Sequence, residues 1–319
     1  MMQTNNPTYG TCRGRQPKIA LINDMCGFGR CSLTVSMPII SAMGIQACPV
    51  PTAVFSNHTA YESFYRQDMT AALPQYITEW SKLRLRFNAV LAGYLSSPEQ
   101  IRITAEFAES FTASEGVFVL DPVMGDNGRL YSAYQSDMLE RMKELVSYSD
   151  VLTPNLTEAC FLTDTDYNSV LSAPGKKRSD MLLKMAESLS AGMKSGCGKV
   201  VISGIETKEY ITNYVYDNGT GTCLRSRKSG PSRCGTGDIF SSIITAALVS
   251  GHTFNEAVKL AAAFIRKCIT VSDDYEIPLT DGVAFEEVLY TLIDHQRIIQ
   301  RRNNNHEISV QKISVKQEE

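Results

Sequence analysis

The sequence predicts an α/β fold built on a mostly parallel sheet. Short apolar runs alternate with helix-length patterns, one antiparallel hairpin interrupts that rhythm late in the chain, and no Pro/Gly/Ser-rich linker divides it. Strands are expected near 18–23 (KIALIN), 46–54 (QACPVPTAV), 88–92 (NAVLA), 116–120 (GVFVL), 150–153 (DVLT) and 199–203 (KVVIS). Helical patterns fall between them, near 32–43, 70–83, 98–113, 135–148 and 179–195. Residues 210–228 read YITNYVY, DNGTG and TCLRSRK, a hairpin signature. Helices near 238–250, 254–271 and 283–300 follow, the second opened by a Thr253/Glu256 capping box. A single domain over 17–301 is expected, with a flexible arm at 1–16 and a polar, disordered tail at 302–319.

Composition narrows the function classes. The 319 residues are 43% hydrophobic and 20% charged with net charge −3, which is ordinary for a soluble globular chain. No run approaches the roughly 18 apolar residues of a membrane span, and the N-terminus lacks the apolar core of a signal peptide. Lys and Arg are scattered, so no nucleic-acid partner is expected. Nine cysteines, an odd number without C-x-x-C, fit reduced thiols in a cytoplasmic protein better than a disulfide or zinc framework. The sequons at Asn57, Asn155 and Asn218 then read as chance.

The predicted strands run straight into Asn23-Asp24, Gly93-Tyr94, Asp121-Pro122, Pro154-Asn155 and Gly204. Each alone is a solvated turn. Together they point to a crevice, because open parallel sheets bind ligands beyond the carboxyl ends of their strands.

The phosphate chemistry is not that of a P-loop. Its nearest imitation, Ser195–Val200, has the wrong spacing, puts Val where magnesium needs a hydroxyl, and precedes a strand. Gly27-Phe28-Gly29 hints at dinucleotide binding, but Ser32 stands where the third glycine belongs. Gly235-Thr236-Gly237-Asp238 is stronger. Ile239, Phe240, Ile243, Ile244, Ala247 and Leu248 follow at helical spacing, so a helix starts near Asp238 and stops near Gly251. The glycines open its mouth to close backbone approach, where orphan N–H groups attract phosphate. Asp238 reads either as a plain N-cap or as a base for an attacking hydroxyl. Asp121–Asp126 and Thr153–Glu158 add carboxylates and amides, the ligands that Mg²⁺ uses sparingly beside water and nucleotide phosphates.

Together these segments resemble the pyridoxal/pyridoxamine (vitamin B6) kinase family of the ribokinase-like superfamily. The resemblance rests on Phe55-Ser-Asn-His-Thr59, Ala92-Gly-Tyr94, Asp121-Pro-Val-Met-Gly-Asp126, Thr153-Pro-Asn155 with Glu158, and Gly235-Thr-Gly-Asp238, in family order over residues 18 to about 271. Gly-Thr-Gly-Asp marks the superfamily; the Ser-Asn-His-Thr and Asp-Pro-Val-Met-Gly-Asp runs are more specific.

The resemblance implies an α/β/α sandwich and ATP-dependent phosphorylation of the 5′-hydroxymethyl group of pyridoxal, pyridoxine or pyridoxamine. It implies Asp238 as base, and Gly235, Thr236 and Gly237 as the anion hole for the γ-phosphoryl group. Asp121, Asp126, Asn155 and Glu158 would organise MgATP, with Asp121 and Glu158 on Mg²⁺ partly through water. Asp121, Thr153 and Ser203 would form a site for a monovalent cation such as K⁺. Thr59 matches a contact to the pyridine ring, with Phe55, His58 and Tyr94 beside the pocket. A homodimer is implied as well. The chain departs from the family at Asn23-Asp24, where a serine ordinarily meets the ring nitrogen; Asn23 or Asp24 would replace it. Cys234 adjoins the anion hole, within reach of an aldehyde or as a small buried spacer. The rival readings are a hydroxymethylpyrimidine kinase and a non-catalytic B6-binding protein.

Overall fold

Alternation along the first strand, β1 (Lys18–Cys26), already separates two layers. Ala20 and Ile22 pack into one apolar cluster and Ile19 and Leu21 into another. Successive side chains of a strand point to opposite faces, so a strand apolar throughout must be covered on both sides. This computed structural model describes residues 16–131, 134 and 136–293.

After β1 come α1 (Leu33–Ala42), β2 (Gln46–Phe55), β3 (Arg66–Asp68), α2 (Leu73–Lys82), β4 (Phe87–Ala92), α3 (Pro98–Phe111) and β5 (Thr112–Leu120). Next are β6 (Gly125–Asp126), β7 (Arg129–Leu130), α4 (Ser136–Val146), β8 (Val151–Leu152), α5 (Leu156–Leu162), α6 (Tyr167–Ser172) and α7 (Gly175–Gly192). The chain continues through β9 (Lys199–Glu206), β10 (Tyr210–Asp217), β11 (Thr220–Arg227), α8 (Thr236–Val249) and α9 (Phe254–Asp274).

Nine strands form one sheet in the order β11-β10-β9-β8-β5-β4-β1-β2-β3. Pairing is parallel from β2 to β9, and antiparallel only for β3 at one edge and β10–β11 at the other. Leu73, Phe107, Met142 and Leu182 cover one face; Ile39, Ile243, Ile244 and Phe264 cover the other. Full burial of each such side chain contributes about 1.5–3 kcal/mol. The mostly parallel α/β architecture and the 210–228 hairpin are as the sequence predicts.

Several elements differ from expectation. α8 begins at Thr236, two residues before Asp238. β3, the β6–β7 hairpin and the short helices α5 and α6 were not anticipated, and α7 starts at Gly175 rather than 179. The helix expected at 283–300 is broken within the described residues: a 3-10 turn occupies Glu286–Val288, and helix resumes only over 290–293. Val283, Phe285, Val288 and Leu292 all enter the core there, a spacing that a single helix cannot present to one face. The expected arm at 1–16, save Gln16, and the tail at 302–319 lie outside the described residues, as does the end of that last helix.

Candidate active site

The carboxyl ends of β1 and β5 meet the N-terminus of α8 through Asn23 and Asp121, with Gly93 at the end of β4 packed behind Asn23. Gly235 caps this helix in the left-handed region, with φ +81°. A Cβ there would lie 1.9 Å from the Arg30 carbonyl oxygen, so the position admits only glycine. Gly237 is different: its nearest neighbour would be an Asp121 carboxylate oxygen 4.0 Å away, leaving the first turn open to a ligand. The Thr236 hydroxyl donates to the Arg233 carbonyl at 3.0 Å, which ties the turn to its preceding loop.

Asp238 is the third residue of α8 and not its cap. That corrects the capping reading. Its carboxylate instead accepts from the Asn23 amide at 3.0 Å and from the Ser32 backbone N–H at 2.8 Å. Burial pushes its pKa up, and these two bonds to the charged form oppose the rise without cancelling it. The other end of Asn23 is equally engaged: its oxygen accepts from the N–H groups of Tyr94 at 2.8 Å and Asp24 at 3.0 Å. Gly93 lets Asn23 lie this close, because a Cβ there would sit 2.7 Å from its amide nitrogen. Asn23 therefore orients Asp238, and of the two residues weighed for the ring nitrogen, Asp24 has the less committed side chain. Asp24 is buried, and its pKa is pushed up to about 7 by that burial and the nearby Asp238 charge, against a hydrogen bond from Ser32.

On the other flank, Phe55 is buried with Tyr94 edge-on at 5.9 Å. Ser56 and Asn57 build the loop that follows: Tyr65 N–H donates to the Ser56 hydroxyl at 2.8 Å, and the Asn57 amide donates to the Ser63 carbonyl at 2.8 Å. Thr59 is exposed on that loop. His58 Nδ1 accepts from Ala60 N–H at 3.2 Å, with the Cys234 thiol 3.6 Å away. An accepting Nδ1 assigns the proton of neutral imidazole to Nε2, and burial lowers the pKa to favour that neutral form.

The third flank is acidic. Glu158 accepts from Met124 N–H at 3.1 Å and from Asn155 N–H at 2.8 Å, closing a capping box on α5. Asn155 in turn donates to the Gly125 carbonyl at 2.8 Å. Burial, then the charge of Asp121, drives Glu158 well above the ordinary range; burial and Asp238 raise Asp121. Among the described residues no lysine or arginine pairs with either, and no three metal-binding side chains converge to hold an ion alone. Two buried carboxylates short of positive charge suit Mg²⁺ bound mainly by water and nucleotide phosphates.

Asp126 is exposed and accepts from its neighbour Asn127, at 2.8 Å from the backbone and 3.0 Å from the side chain. Thr153 is buried, its hydroxyl 3.5 Å from the Leu120 carbonyl, and Ser203 N–H donates to Pro154 at 2.8 Å, abutting the ends of β8 and β9. Tyr131 was missed from the sequence. Tyr131 is 48% exposed, yet desolvation of its phenol and then the charge of Glu158 raise its pKa, and its N–H donates to the Met124 carbonyl at 2.9 Å. The signal was present: Asn127-Gly128 is the strongest short hairpin turn, and it returns the chain to Tyr131.

Residues 37–283 match the phosphomethylpyrimidine kinase family. The chain belongs to that family. It is a pyridoxal kinase-like phosphotransferase of the ribokinase-like superfamily. A Bacteroides thetaiotaomicron protein assigned to the phosphomethylpyrimidine kinases superposes with TM-score 0.82 and 36% identity, covering 89% of this chain and 96% of that one. A second crystal form of that protein is described with pyridoxal. Pyridoxal kinase from Lactobacillus plantarum is 26% identical with TM-score 0.79, over 87% of this kinase and 97% of its own chain. A pyridoxine/pyridoxal/pyridoxamine kinase of Bordetella avium is 26% identical over 78% of this kinase and 84% of its own length.

Proposed function

We propose that this kinase phosphorylates the 5′-hydroxymethyl group of a B6 vitamer with MgATP. The observation that carries the reading is Asp238, oriented by Asn23 and Ser32 at an open helix mouth. A carboxylate in that position repels phosphate, yet it can accept the proton of a hydroxyl attacking it. The backbone N–H groups of Gly235, Thr236 and Gly237 face the developing phosphoryl charge, and the α8 dipole adds to them. Asp121 and Glu158 would hold Mg²⁺ through water, with Asp126, Asn155 and Tyr131 lining the nucleotide side. When bound, such an ion would neutralise phosphate charge. In-line transfer needs little further covalent chemistry, so positioning does most of the work.

Thr59, Phe55, Tyr94, His58 and Cys234 frame the vitamer, with Asp24 at the ring nitrogen. The pyridoxal described with the Bacteroides relative supports this acceptor. A K⁺-type ion at Asp121, Thr153 and Ser203, a homodimeric state and a cytoplasmic location belong to the same reading; no described helix is long and apolar enough to cross a membrane. The family match itself favours a second reading, hydroxymethylpyrimidine as acceptor. A substrate panel separates the two: MgATP with pyridoxal, pyridoxine, pyridoxamine and hydroxymethylpyrimidine, products identified by mass. A B6 5′-phosphate is expected. Product from the pyrimidine alone would replace the first reading with the second, and no product from any would overturn both.

A further inference from the structure

Ile277–Glu286 touches three loops of the site: the one after β1, the one carrying Thr59 and Tyr61, and the one before α8. Arg233, only 7% exposed, donates through Nη1 to the Ile277 carbonyl at 2.7 Å and the Pro278 carbonyl at 3.4 Å. Its Nη2 reaches Asp273 at the end of α9 at 2.7 Å. Two residues later in the chain stands Gly235, the cap of the anion hole.

The same segment grips the loop after β1. Arg30 N–H donates to the Asp281 carbonyl at 3.0 Å, and Arg30 Nε meets Glu286 at 2.7 Å. Gly282, with φ +83°, allows this approach, since a Cβ there would fall 2.7 Å from the Arg30 carbonyl oxygen. That oxygen is also the one against which Gly235 packs. The vitamer loop joins through Tyr61, whose hydroxyl donates to Asp281 and whose ring meets Phe28 at 5.7 Å.

We propose that Ile277–Glu286 is a brace that holds the vitamer loop, the β1 loop and the anion hole in register, with Arg233 as its positioning residue. A buried guanidinium fixed by two carbonyls and a carboxylate sets the path of the backbone that must present Gly235–Gly237 to phosphate. The brace is not packed solid. A partly open cleft of about 270 Å³ separates residues 27–30 from Asp281, Phe285 and Glu286. The kinetic consequence rests on the proposed kinase reading; the mechanical one does not.

The test uses the full chain with Arg233→Met and Arg233→Lys, followed by amide hydrogen exchange and steady-state kinetics with pyridoxal and MgATP. In Arg233→Met, exchange is expected to rise at least ~10-fold over 27–30 and 277–286 while β4 and α3 stay protected. Turnover should fall by ~10-fold or more with the pyridoxal KM within about threefold, and Lys should restore part of it. Unchanged exchange at 277–286, or a rise spread evenly through the core, would overturn the brace. Should Arg233→Met fail to fold, Tyr61→Phe decides: loosened exchange at 279–286 supports the brace, and unchanged exchange there rejects it. A wild-type protein without vitamer product would sink the kinase reading alone, because the exchange arm still judges the brace.

Discussion

Asp238 and Thr59 are built into the protein in opposite ways. Asp238 sits in a fourteen-residue helix, half-buried, with one donor on each carboxylate oxygen. Thr59 is exposed on a loop whose frame comes from its neighbours Ser56 and Asn57. On the proposed function the difference separates two tasks. Proton acceptance needs one geometry, set before substrate arrives, whereas recognition of a ring tolerates a loop that adjusts.

The sharpest way to break this comparison is Asp238→Asn, which keeps the shape and removes the proposed base. Turnover should drop about 10²- to 10⁴-fold while nucleotide binding by calorimetry persists. Near-normal turnover would remove Asp238 from that role.

Asn23→Ala leaves the base in place but takes away one of its two donors. A fall of about tenfold in kcat is expected, with a change in pH profile. A hydrogen bond to the charged form lowers a pKa, so losing it raises the already elevated Asp238 pKa. The base works deprotonated, and the acidic limb of kcat should therefore move to higher pH. A limb that stays put would show that Asn23 does not tune Asp238.

Thr59→Ala probes the other side. Loss of one contact on an adjustable loop should raise the vitamer KM roughly 3- to 10-fold and leave the ATP KM unchanged. Equal effects on both substrates would erase the distinction between the two regions.

The smallest effect concerns stability. The folded-state pKa of Asp24, near 7, exceeds the value of 3.8 expected of an unfolded chain, so the native state holds a proton that the unfolded state releases. This contribution is fully present below pH 3.8, declines as pH rises from there, and is gone above about 7. Asp24→Asn should flatten that part of the curve and raise the melting temperature by ~2 °C or more at pH 8. A variant that melts lower than wild type at pH 8 would mean that the charged form is favoured there.

The Thr253/Glu256 box was legible because each half of it is local, and both of its bonds form as expected. The strands were legible too, since a chain that buries both faces of a sheet must be apolar throughout. The region 283–300 misled for the converse reason. Phe285, Val288 and Leu292 fall at helical spacing, but Val283 does not, and it enters the core from the turn at Gly282.

What the sequence determined by itself was the order of elements, the glycine-rich mouth of α8 and the carboxylates at the strand ends, all encoded within short windows of chain. It left Asp238 open between cap and base. The tertiary structure removed the capping alternative: Gly235 takes the cap, and Asn23, 215 positions away, and Ser32 come onto the two Asp238 oxygens. It also showed one carbonyl, that of Arg30, pressed against both Gly235 and Gly282. Such contacts depend on how the sheet edge stacks distant loops, and local propensity carries no record of that distance.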